Sequence, residues 1–97
     1  MSKRELVRLH REAILEAARS LGAERIRLFG SVARGDDDDH SDVDFIVKMH
    51  PEMDVFDLVD LKDRLQTILG CPVDVLTEHP WMRERLRLAI EEAAVEP

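Results

Sequence analysis

Ile26-Arg27-Leu28-Phe29-Gly30-Ser31 and, after ten intervening residues, Asp42-Val43-Asp44-Phe45-Ile46-Val47-Lys48 form the stretch whose reading decides the fold. The first run alternates in the manner of a short strand and ends at the Gly-Ser pair. The second alternates more fully, with Val43, Phe45 and Val47 on one face and Asp42, Asp44 and Ile46 on the other. About a dozen residues join the two runs, which predicts an antiparallel pair. Within the link, Asp36 to Asp39 is an acidic loop.

Working outward, residues 4–21 read as an amphipathic helix, with Leu6, His10, Ala13, Ile14, Ala17, Ala18 and Leu21 at helical spacing and Gly22 as its stop. A second helix is expected over 54–69, striped by Val55, Leu58, Val59, Lys62, Leu65, Ile68 and Leu69 and closed by Gly70-Cys71-Pro72. Val73-Asp74-Val75-Leu76-Thr77 is then a third strand. A helix separates it from the second, so the two should run parallel with a right-handed crossover. His79-Pro80 opens the last helix, where a proline in the first turn costs little; Met82, Leu86, Ala89, Ile90 and Ala93 are expected inward, and Trp81 and Leu88 outward. The expected fold is α/β in the α+β sense: a small mixed three-stranded sheet with helices mainly on one face. The face carrying the aspartates is left open or meets a partner.

A chain of 97 residues is expected to form a single domain over 1–97, burying about 60–65% of its unfolded surface. No apolar run approaches the roughly 20 residues of a membrane span, and the charged start Met1-Ser2-Lys3-Arg4-Glu5 does not resemble a signal peptide. The lone Cys71 admits no internal disulfide and fits a reducing cytoplasm, with a structural role for the thiol. The formal net charge of −7 disfavours free nucleic acid as a partner, because phosphate-backbone binding draws on the opposite excess. Basic protein surfaces or a metal-neutralised nucleotide suit it better.

The chemistry concentrates around Gly30-Ser31 and Asp42-Val43-Asp44. Spacing of two along a strand points both carboxylates the same way, where they repel and raise each other's pKa. A hard divalent cation removes that penalty, and Mg²⁺ favours one or two carboxylates together with phosphate oxygens. Gly30 lets the backbone approach a phosphate, and the following N–H groups and the Ser31 hydroxyl are donors to it. Each piece alone is ordinary, a turn or a solvated strand end. Together, at this spacing, they should arise by chance on the order of once in a thousand such chains. Arg34 stands one helical turn beyond the pair, placed either to touch phosphate or to balance the acidic loop. Arg27 is read as structural, facing Asp44 across the strand pair. The acidic run itself reads as a solvated tip, since adjacent aspartates cannot all reach one ion; His40, His50 and His79 show no metal-ligand spacing.

Gly30-Ser31-Val32-Ala33-Arg34-Gly35 with Ser41-Asp42-Val43-Asp44-Phe45-Ile46-Val47 resembles the core motif of the DNA polymerase β nucleotidyltransferase superfamily. More closely, the chain is similar to the minimal nucleotidyltransferases of the MNT type, over nearly its whole length and element order. The resemblance implies a site with two Mg²⁺ ions bridged by Asp42 and Asp44. A third carboxylate from a neighbouring strand completes the site or activates the attacking hydroxyl, and Asp74 occupies the matching place. The implied substrate is ATP and the implied products are a nucleotidylated acceptor and pyrophosphate.

Larger superfamily members carry further domains that grip the base or acceptor. Here that surface must come from a second copy of the chain or from another protein. For MNT proteins the resemblance implies a helical HEPN partner, often an RNase toxin, whose tyrosine receives AMP and which the MNT chain silences as an antitoxin. The chain has no tyrosine, so modification of itself on that residue type is excluded. Two other readings stand beside this one: an antitoxin that neutralises by contact alone, and a nucleotidyltransferase acting on a small molecule.

Overall fold

In a computed structural model, residues 2–38, 40–78 and 84–97 are described. Three strands, β1 (Ala23–Phe29), β2 (Val43–Met49) and β3 (Val73–Glu78), form one sheet in the order β1-β2-β3. The first pair is antiparallel and the second parallel, as the connection lengths require. The helices are α1 (Lys3–Leu9), α2 (Arg11–Ser20), α3 (Gly30–Arg34), α4 (Val55–Leu69) and α5 (Glu84–Ala93). A mixed sheet packed on helices was the expected class, and it is the observed one.

The core lies between the sheet and the helices α1, α2 and α4. Val43, Phe45 and Val47 point into it, meeting Val7, Ile14, Leu61 and Leu65, all fully buried. Each such side chain contributes roughly 1.5–3 kcal/mol of transfer free energy on burial. α4 is anchored at both ends. Asp54 and Asp57 form a reciprocal capping box at its start, and Gly70 closes it in the left-handed conformation.

Four local expectations change. The single helix over 4–21 is two helices meeting at His10, whose N–H still bonds to the Leu6 carbonyl while its own carbonyl accepts from Ile14. Because the hydrogen-bond ladder runs on through the junction, apolar spacing does not reveal the bend. Residues 30–34, expected as a turn, form α3. On α4 the inward stripe is Leu61, Leu65 and Leu69 with Leu58 and Ile68 partly buried, whereas Val55, Val59 and Lys62 face solvent. On α5 only Ile90 is buried; Leu86, Ala89 and Ala93 are exposed, as Leu88 was expected to be. His79, Pro80, Trp81, Met82 and Asp39 lie outside the described residues.

The second face of the sheet is partly covered. Arg27 stands opposite Ile46, not Asp44, and both are buried. The Arg27 guanidinium is ion-paired to Glu78 of β3 and lies 3.7 Å from Glu91 of α5. This network ties α5 to one end of that face. The chain after α5 also returns to β1 through paired hydrogen bonds between Leu28 and Val95. The opposite end, where β2 and β3 begin, keeps its aspartates accessible.

Candidate active site

The parallel register sets Asp44 directly opposite Asp74, and the antiparallel register sets Phe29 opposite Asp44. Adjacent strands thus bring the Gly30 turn, Asp44 and Asp74 together at one end of the sheet. Asp42 lies just before β2 and is exposed; Asp44 is half-buried, and Asp74 is exposed. The Asp44 carboxyl is pushed above its ordinary range first by burial, then by the nearby charges of Asp74 and Asp42, with Arg34 pulling the other way. All three carboxylates therefore act on one region of space.

Gly30 is required there by two observations. Its φ is +72°, and a Cβ built on it would fall 2.5 Å from Asp44 Oδ2 and 3.3 Å from its Cγ. Any side chain there would be strained by the positive φ and would displace the Asp44 carboxylate. Gly30 opens α3, whose C-terminal end is closed by Gly35 in the left-handed region. The Ser31 hydroxyl makes no hydrogen bond among the described residues. Arg34 is exposed, and its Nε donates to Asp36 Oδ2 at 3.1 Å. The arginine thus balances the acidic loop while remaining within electrostatic reach of Asp44.

Three residues that sequence reasoning passed over belong to this neighbourhood. Lys3 of α1 donates from Nζ to the carbonyls of Asp38 (2.6 Å) and Ser41 (2.5 Å), bracing the loop that delivers Asp42. Arg4 donates to the Ala33 carbonyl at 3.2 Å, holding α3. Lys62 reaches from α4 to within 4.0 Å of Asp74 Oδ1. In sequence Lys3 and Arg4 look like ordinary helix-surface cations and Lys62 reads as part of the apolar stripe of its helix, and only long-range contacts distinguish them. Within the acidic loop Asp38 accepts from the His40 N–H and the Ser41 hydroxyl, an Asx-type turn, and these bonds hold its carboxyl below the usual carboxylate range. That aspartate shapes the loop.

Among the described residues no three His, Cys, Asp or Glu side chains converge closely enough to hold an ion as they stand. The donor set nevertheless suits a hard cation: carboxylate oxygens only, with the Asp44 carboxyl raised in pKa by burial and then by the other two. Cys71 packs against the core, and burial pushes its thiol up, away from reactivity. No described helix is long and apolar enough to cross a membrane.

Residues 11–96 match the family described as nucleotidyltransferase domain, and the chain belongs to that family. A Methanocaldococcus jannaschii protein inferred to be a protein adenylyltransferase, MJ0435, is 40% identical over 68 residues, spanning 67% of this chain and 73% of that one. A solved structure of an inferred minimal nucleotidyltransferase superposes with a TM-score of 0.86 at 36% identity, covering 97% of this chain and 95% of that chain. A toxin–antitoxin structure solved with AMP-PNP shares the fold at a TM-score of 0.69 and 22% identity, over 86% of this chain and 68% of its own.

Proposed function

We propose that the chain transfers AMP from ATP to a hydroxyl of a partner protein, a tyrosine of a helical HEPN-type toxin, and so acts as that toxin's antitoxin. The observation that carries this is the meeting of Gly30, Asp44 and Asp74 across three neighbouring segments in a chain of the nucleotidyltransferase family. The relatives named for protein adenylyltransfer and the toxin–antitoxin structure of the same fold support the acceptor class and the role.

In this reading Gly30 and Ser31 receive the triphosphate, with the Ser31 hydroxyl as a donor, and Arg34 swings from Asp36 to a phosphate oxygen. Asp42, Asp44 and Asp74 would hold Mg²⁺, as two ions, which when bound supplies charge neutralisation at the triphosphate and at the entering and leaving oxygens. The acceptor oxygen bonds to the α-phosphorus as the bond from that phosphorus to the pyrophosphate oxygen breaks. Pyrophosphate leaves with the electron pair, and the hydroxyl proton passes to Asp74. The acidic surface favours a basic partner, as an RNA-cutting protein would be.

Intact-mass spectrometry of the chain with its helical partner, ATP and Mg²⁺ tests the proposal. The expected result is a gain of AMP units on the partner, abolished by Asp42→Ala/Asp44→Ala. A stable, silenced complex with no added mass would instead establish neutralisation by contact alone.

A further inference from the structure

β3 is an outer strand of the sheet, and no described strand pairs with its far edge, which lies alongside the candidate site. The ladder phase shows which of its groups are free. Val43 N–H bonds to the Pro72 carbonyl, so in the parallel pair Asp74 and Leu76 are the β3 residues whose backbones face β2. The peptide groups of Val73, Val75 and Thr77 therefore point away from the sheet. Val73 N–H is taken by the Gln66 side chain at 3.3 Å; those of Val75 and Thr77 have no partner among the described residues.

Beside this edge runs the solvent-facing stripe of α4. Gln66 meets Val73 and Lys62 meets Asp74, so the helix descends along the strand in the opposite sense. One and two turns earlier on the same stripe stand Val59 and Val55, exposed at 56% and 63%. A strand edge with free hydrogen-bonding groups and an apolar shelf beside it is what an added strand requires. Such edges are ordinarily protected by charge, proline or a covering element, and the shelf here carries valines.

We propose that an extended, basic segment of the acceptor protein docks here as a fourth strand. The inference rests on the protein-acceptor reading above and names the surface that reading lacks. Adjacent strands lie about 4.8 Å apart, and directly opposed residues project to the same face. An acceptor residue opposite Asp74 therefore stands beside that carboxylate, on the face shared with Asp44. Charge selects the occupant. Asp60 and Glu78 are already paired with Arg64 and Arg27, which leaves Asp63 of α4 without an ion pair among the described residues and Asp74 with only Lys62 at 4.0 Å, on a chain whose net charge is −7. A second copy of the chain would oppose these acids to themselves and bring no tyrosine. A basic strand relieves the repulsion and supplies one.

The test uses the intact chain and its helical partner, with hydrogen exchange and transfer kinetics measured on the same samples. Partner binding is expected to slow exchange at the Val75 and Thr77 amides. Val59→Lys, at an exposed position, removes the apolar contact and opposes a basic segment, and should raise the KM for the partner about tenfold while ATP binding by the chain alone stays unchanged. AMP transfer without protection of those amides, and with Val59→Lys indistinguishable from wild type, overturns the docking site while leaving the enzyme reading intact. Protection without any AMP transfer supports the docking site and refutes the reading it rests on. A symmetric dimer of the chain alone, protected at the same amides, overturns the proposal in favour of self-pairing.

Discussion

Gly30 and Asp44 pass so closely that a single methyl group on the glycine would fall 2.5 Å from the aspartate's Oδ2. Gly35 supplies an internal control: its φ is +79°, similar to the +72° of Gly30, yet nothing lies within 4 Å of where its Cβ would be. Gly35→Ala should cost only backbone strain, about 1 kcal/mol, and keep activity. Gly30→Ala adds displacement of Asp44 and should abolish transfer. Thermal unfolding and AMP transfer on the two variants check this, and equal activity losses would contradict it.

Asp44 also sets a pH dependence. Its carboxyl titrates above the ordinary value because of burial, then Asp74 and Asp42. Between the unfolded and folded pKa values the native state holds the additional proton, so metal-free stability falls as pH rises through that window. Asp44→Asn removes the penalty. With chelator at pH 7 it should melt above wild type, the gap closing as pH falls through the ordinary carboxylate range. Added Mg²⁺ should raise the wild-type melting temperature and leave the variant's unchanged.

Lys3 is expected to act on the site through the loop alone. Its ammonium bonds the carbonyls of Asp38 and Ser41, the second adjacent to Asp42. Lys3→Met should speed exchange of the loop amides and weaken the apparent Mg²⁺ affinity several-fold, the equivalent of about 1 kcal/mol. Unchanged Mg²⁺ dependence would confine Lys3 to helix stability.

Arg27 is the buried cation of the sheet, held by Glu78 and Glu91. Arg27→Ala strands the largely buried Glu78 and should cost about 3 kcal/mol in urea unfolding. Arg27→Met combined with Glu78→Gln should recover most of the loss, because the pair's net contribution is small once both charges go. Additive losses would contradict the pairing.

The strands and their directions were legible in sequence because each follows from alternation and connection length, whereas Asp74 was assigned to the site by the family resemblance, with which a parallel third strand agrees. Val43, Phe45 and Val47 had to share a face, and parallel register then carried Asp74 to Asp44. The rotation of α4 was not legible: Val55 and Val59 are as apolar as Leu61 and Leu65, and only the sheet's position decides which stripe is buried. Arg27 was assigned to the wrong partner for a related reason. A register two residues away replaces Asp44 with Ile46, and the ion pair then forms across the sheet with Glu78, 51 positions along the chain. Lys3, Arg4 and Lys62 were invisible because their partners are distant carbonyls or a carboxylate reached around the sheet edge.

The most direct test of nucleotidyl transfer is the fate of label from ATP carrying ³²P at the α or the γ position, incubated with the chain, its partner and Mg²⁺. The α label should become covalently attached to the partner, the γ label should leave in pyrophosphate, and both events should disappear in Asp44→Asn. Attachment of the γ label, or an α label transferred equally well by Asp44→Asn, would contradict the account.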